Sequence, residues 1–179
     1  MIKGDPREYH FLPIRYAFKV LFSKMTYNYY NLVDCNKEIK ATSCTASSEH
    51  SGGYGACENA NDGKLDTNWV TMGEGVDAWI QLNFENTNWI EQVEIKHRKN
   101  NYDKEMFKLV TLEFNSMAKI DYTLNSDTSH QWNVVTLSHI PNTNYLKIIA
   151  KTVYGTINNG FSEIRVTGCS IGTNYIHFH

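Results

Sequence analysis

The feature that most restricts this chain is a series of short runs in which apolar and polar residues alternate, each closed by a cluster of Asn, Asp, Gly or Ser. AWIQLNF (78–84) sets Trp79 and Gln81 against Ile80, Leu82 and Phe84. WIEQVEIKH (89–97) places Ile90, Val93 and Ile95 among charged residues, and KLVTLEFN (108–115) alternates Leu109, Thr111 and Glu113 with Val110, Leu112 and Phe114. WNVVTL (132–137), YLKIIAK (145–151) and SEIRVTG (162–168) complete the set. Side chains of a strand point alternately to opposite faces, so each run reads as a strand with one buried face. The intervening ENTN, RKNNYDKE, LNSDTSH, IPNTN and YGTINNG are turn-forming. Such strands at short, regular spacing, with no helix-length periodic segment, predict an all-β antiparallel sandwich or barrel.

A chain of 179 residues fits one domain with a substantial core. With 41% apolar and 13% aromatic residues it suits pleated, half-buried surfaces. The net charge of −2 leaves no electrostatic footprint for nucleic acid. No stretch approaches the roughly 20 apolar residues that cross a bilayer as a helix. Residues 1–34 read as an N-terminal extension with no assigned function; their apolar positions are interrupted by Arg15, Lys19 and Lys24. A signal peptide needs an unbroken apolar stretch of roughly 7–15 residues, and none is recognised here. Residues 171–179 read as a C-terminal tail, which leaves 35–170 as the domain.

Cys35, Cys44, Cys57 and Cys169 form an even, widely spaced set without the close pairs of zinc sites. Such a set suits disulfides in an oxidising compartment. Cys35 and Cys169 bracket the domain, which suggests a clasp between its ends; Cys44 and Cys57 then close a short loop. Four buried thiols in a cytosolic protein are the alternative. There is no GxSxG, HExxH or P-loop sequence, and catalysis is not expected.

Three segments carry a family resemblance: CTASSEHSGGYGACENANDGKLDTNWVT (44–71), DAWIQLNFENTNWIEQVEIKHR (77–98) and LKIIAKTVYGTINNGFSEIRVTGC (146–169). In order and spacing they resemble the coagulation-factor 5/8 C-type, or discoidin, domain of the galactose-binding-like superfamily, over roughly residues 35–169. The resemblance implies an eight-stranded jelly-roll sandwich with binding loops at one end. It also implies a recognition module, secreted or on the cell surface, that is not itself an enzyme.

NANDGKLDTNW gathers oxygen donors around Gly63, and hard cations such as calcium take six to eight oxygens. Unaided, this reads as a cluster of Asx turns. By resemblance it is a structural Ca2+ site, with Asn59 and Lys64 carbonyls, the Asp62 carboxylate and Thr67, completed by the Ser162 carbonyl and the Glu163 carboxylate. Trp69 and Trp79 are expected to pack in or beside the core.

Three loops are candidates for the binding face: EHSGGYGA (49–56) with His50 and Tyr54, HRKNNYDKE (97–105) with His97, Arg98, Asn100, Asn101 and Tyr102, and VYGTINNG (153–160) with Tyr154, Asn158 and Asn159. Sugar recognition needs planar hydrogen-bonding groups and an aromatic face, and Arg98, the amides and one tyrosine supply them. In galactose-binding relatives an Arg at the end of this strand and an Asn soon after touch the sugar; Arg98 and Asn101 stand near those places. Those relatives often carry a His just after the TxW tryptophan, where this chain has Val70-Thr71-Met72. The third loop, with its Asn159-Gly160 turn dipeptide, reads as a plain connector. The leading expectation is a lectin-like adhesion module that binds glycans or glycoproteins. A protein-interaction module and a phospholipid-binding module are the alternatives. Membrane insertion is disfavoured because Glu74 and Asp77 sit beside Met72 and Val76 and would be repelled by an anionic leaflet.

Overall fold

The computed structural model describes residues 30–98, 105–115, 118–126, 131–155 and 157–173. Eight strands form the body: β1 (Tyr30–Glu38), β2 (Ser43–Ala46), β3 (Trp69–Val70), β4 (Trp79–His97), β5 (Phe107–Phe114), β6 (Lys119–Thr123), β7 (Asn133–Val153) and β8 (Gly160–Thr173). Among the described residues every strand pairing is antiparallel, and one 3-10 turn spans Cys57–Asn61. The all-β antiparallel architecture is the expected one.

Hydrogen bonding runs in the order β1-β8-β4-β7-β5-β6, with β2 on β4 and β3 on β8. The two long strands serve both layers. The first half of β4 pairs with β2 and with the end of β7, while its second half pairs with β8 and the start of β7. Register shifts between Asn83 and Gln92 mark where β4 passes from one layer to the other. The turns expected at ENTN and IPNTN are therefore absorbed into continuous, bulged strands. Asn142, at φ 53°, takes the left-handed backbone that the bend in β7 requires. β1 begins at Tyr30 and β8 runs to Thr173, so the sheet takes in residues on both sides of the 35–170 span.

Alternation decides what lies between the layers. Ile80, Leu82 and Phe84 from one half of β4 and Ile90, Val93 and Ile95 from the other are buried together with Val110, Leu112, Phe114, Leu146, Ile148, Ile164 and Val166. Toward one end an aromatic trio closes the core: Phe107 lies 5.9 Å from Trp69 and 5.0 Å from Phe161, centroid to centroid. Trp69 is wholly buried, and its indole N–H donates to the Ser48 carbonyl at 3.0 Å. Trp79 is half-buried under the Lys147 ammonium, 4.0 Å from the ring centroid. Two disulfides join Cys35 to Cys169 and Cys44 to Cys57. The first ties β1 to β8 across a separation of 134 residues, and the second ties β2 to the 3-10 turn.

Candidate functional site

The loops at the Trp69 end are built around the segment 158–163. Asn158, at φ 70°, sits where the chain turns into β8. Its main-chain carbonyl accepts from Arg98 Nη1 at 2.6 Å, and its side-chain oxygen accepts from the Gly73 N–H at 2.7 Å. The Asn159 carbonyl accepts from the Thr71 N–H at 2.9 Å and from the Thr71 hydroxyl at 3.2 Å. Gly160 and Phe161 pair with Val70 and Trp69. A Cβ on Gly160 would lie 1.9 Å from the Trp69 carbonyl oxygen, so only glycine allows this approach. The third loop, read from the sequence as a connector, thus holds Arg98 directly and the 49–56 loop by way of Val70.

The 49–56 loop hangs from the same place. His50 N–H donates to the Val70 carbonyl at 2.8 Å, and the Val70 N–H donates to the Gly55 carbonyl at 3.3 Å. Gly52 and Gly53, both at positive φ, carry the chain outward, and Tyr54 projects with 82% of its surface exposed. Thr71 is fully buried and also donates to the Glu74 carbonyl at 2.8 Å. It shapes its loop and does not face solvent.

Arg98 follows directly on β4. Its Nη2 pairs with Glu105 at 3.1 Å, and both side chains are mostly buried, at 15% and 19% exposure. Burial lowers the guanidinium from its ordinary value, and Glu105 offsets this. A planar guanidinium clamped at Nη1 and Nη2 is preorganised to offer its remaining N–H groups in a fixed direction. His97 points the other way. It is 5% exposed, its ring lies 6.2 Å from that of Phe161, and neither ring nitrogen has a partner of good geometry among the described residues. Burial pulls the imidazole down to about 4, opposed in part by the Asn125 main chain. The core occupies the place where the sequence put a ligand contact. Asn100, Asn101 and Tyr102 lie outside the described residues.

The NANDGKLDTNW turn packs against the same β8 segment. Asp62 accepts from the Lys64 N–H at 2.8 Å and from the Thr67 hydroxyl at 2.9 and 3.0 Å. The Thr67 hydroxyl also lies 3.4 Å from the Lys64 carbonyl. The Asn59 amide donates to the Asn68 carbonyl at 3.1 Å, and the Asn61 amide donates across to the Ile164 carbonyl at 2.7 Å. Facing this turn, Glu163 is 1% exposed, and both carboxylate oxygens are buried without a hydrogen-bond partner of good geometry. Burial and the nearby Asp62 carboxylate push its pKa up to about 7, against the pull of Arg165 and the Gly63 main chain. The Ser162 hydroxyl donates to the His97 carbonyl at 2.9 Å. Hydrogen bonds thus join Asp62, Lys64 and Thr67, and the buried Glu163 carboxylate lies beside this turn.

Solved structures of similar fold are carbohydrate-binding modules and domains of this class. One is the family 32 carbohydrate-binding module of Clostridium perfringens NanJ in complex with galactose, at 17% identity and TM-score 0.61, covering 73% of this chain and 98% of that one. A second Clostridium perfringens family 32 module, in complex with GalNAc-β-1,3-galactose, aligns at 21% identity and TM-score 0.59 over 70% of this chain and 94% of its own. An F5/8 type C domain from Bacteroides fragilis aligns at 14% identity and TM-score 0.61 over 74% and 97%. These likenesses fix the fold as a jelly-roll β-sandwich. No curated protein matches by sequence. The family model for the F5/8 type C domain matches residues 43–165, which hold the Asn59–Thr67 turn, Arg98 and the 158–163 hub; the chain belongs to the F5/8 type C domain family.

Proposed function

We propose that this domain is a non-catalytic module that binds glycans on cell-surface or matrix glycoconjugates through the loop end, with a structural calcium beside it. The observation that carries the reading is Arg98. A mostly buried guanidinium is held by Glu105 and the Asn158 carbonyl at the rim of the end that also presents His50 and Tyr54. Fixed planar donors beside an aromatic side chain match what a pyranose offers, with hydroxyls around its edge and C–H groups on one face. The similar modules solved with galactose and with GalNAc-β-1,3-galactose support this chemistry. Calcium is supported by the donor set. Asp62, Thr67, the Asn59, Lys64 and Ser162 carbonyls and Glu163 are hard oxygens, and the buried, unpartnered Glu163 carboxylate is what a divalent cation would satisfy. When bound, calcium would fix the turn; the reading gives it no chemical step.

The two disulfides suit an extracellular setting. Among the described residues no helix is long and apolar enough to cross a membrane. A protein-adhesion role is the second reading, favoured by Tyr54, Met72, Val76 and Ile157, which are each more than half exposed. The test is a glycan array with wild type and Arg98→Ala, with Arg98→Lys as a milder change and melting temperatures to confirm folding. The reading expects a defined set of bound glycans and their loss in Arg98→Ala. Binding that survives Arg98→Ala unchanged in a folded protein would overturn the site.

A further inference from the structure

Six consecutive residues, 158–163, touch every part of the proposed apparatus. Asn158 holds Arg98 and Gly73, Asn159 holds Thr71, and Gly160 and Phe161 pair with Val70 and Trp69. Ser162 holds the His97 carbonyl, one residue before Arg98, and Glu163 faces the Asp62 turn. Val70 in turn anchors His50 and Gly55 of the protruding loop. We infer that calcium at the Asp62–Glu163 site and glycan at the loop end are thermodynamically coupled through the 158–163 segment, so that calcium is a regulator of glycan affinity and more than a fold stabiliser.

The inference rests on the calcium and glycan reading above and adds the link between the two. The geometry leaves little slack along this path. Gly160 meets Trp69 main chain with no room for a Cβ, so a displacement of β8 at Glu163 is passed to Trp69–Val70. Without a cation, the Glu163 carboxylate beside this turn is buried with neither oxygen in a hydrogen bond of good geometry. That arrangement favours local opening of the segment, and local openings of this kind are common at the low-stability edges of folds. A cation that closes it fixes the 49–56 and 71–77 loops and Arg98 in their binding geometry. The glycan then binds a protein whose ordering cost has already been met, and by reciprocity the glycan tightens calcium by the same factor.

The decisive experiment is amide hydrogen exchange on the full chain with calcium or with chelator, alongside a calcium titration by calorimetry. The coupling predicts roughly tenfold slower exchange at the Thr71, Gly73 and His50 amides when calcium is bound, within the range typical of site-to-site coupling. With galactose as probe, or the strongest array ligand, calcium should tighten binding about fivefold or more, and the ligand should tighten calcium equally. Calcium binding with exchange slowed only in residues 57–67 and 162–164 overturns the coupling and leaves the calcium site intact. A titration without heat or melting shift overturns the calcium reading and the coupling with it. Loop protection by calcium in a protein that binds no array glycan supports the link to the loops and overturns the ligand assigned to them.

Discussion

Replacing Glu163 by glutamine separates the two roles assigned to this carboxylate. Without a bound cation its pKa lies near 7 against an ordinary 4.5, raised by burial and by Asp62. The sign follows from which form the fold prefers. A carboxyl with a raised folded-state value is held protonated, so the metal-free fold loses stability as pH rises from about 4.5 to about 7, and the loss is complete above that. At about 1.4 kcal/mol per unit the ceiling is about 3 kcal/mol. Asp62 is exposed and screened by solvent, which leaves roughly 1–2 kcal/mol. In a domain of this size that corresponds to roughly 3–6 °C in melting temperature. Glu163→Gln is therefore expected to be more stable than wild type in chelator at pH 8 and equal to it near pH 4. With calcium at pH 8 the order reverses. Wild type gains stability because a native-state ligand always stabilises, while the variant gains none. Thermal unfolding by circular dichroism in four conditions is sufficient. A variant less stable than wild type in chelator at pH 8, or one that still responds fully to calcium, refutes the reasoning.

Other consequences concern the core, the clasp and the hub. His97 is buried with its pKa lowered from 6.5 to about 4, so it withdraws stability as pH falls through that interval. His97→Gln should flatten this limb of a urea-midpoint profile taken between pH 7 and pH 4, and an unchanged profile counts against it. Gly160→Ala should cost at least about 3 kcal/mol, because its Cβ would lie 1.9 Å from the Trp69 carbonyl; a neutral urea midpoint would show that β3 does not pack as described. Non-reducing peptide mapping should find Cys35 linked to Cys169 and Cys44 to Cys57. Loss of the 13-residue link by Cys44→Ser with Cys57→Ser should cost about 3 kcal/mol on the loop-entropy relation, and four free thiols would contradict both pairs.

The parts of this fold legible in the sequence are those whose signal is local. Ile80, Leu82 and Phe84 alternate within one run, and NANDGKLDTNW packs its donors into a single turn, so both could be placed without knowing their surroundings. β6 was not picked out: Ile120 and Tyr122 alternate with Lys119, Asp121 and Thr123 and pack against the core, but the run is only five residues long and its inner side chains are only partly buried. ENTN and IPNTN carry turn residues yet run on as strand, because the passage between layers needs the bulges and positive φ that such residues tolerate. The hub was hidden for a different reason. Asn158 and Asn159 act largely through main-chain carbonyls, toward partners 60 and 88 residues away, and a carbonyl leaves no trace in residue type. Arg98 stood out as a planar donor at a strand end. The inward turn of His97 follows from strand alternation with Val93 and Ile95, a pattern that assigns it to the core face.

We assign glycan binding to the place where Arg98, His50 and the 158–160 segment meet. The most direct measurement is the change in backbone amide chemical shifts as an array-selected soluble glycan is titrated into isotope-labelled protein with calcium present. Saturable shifts are expected to cluster at His50, Tyr54, Arg98 and Asn158–Gly160, with none along β1 or β6. Shifts centred on an outer sheet face, or no saturable shift with any glycan the array selects, would contradict it.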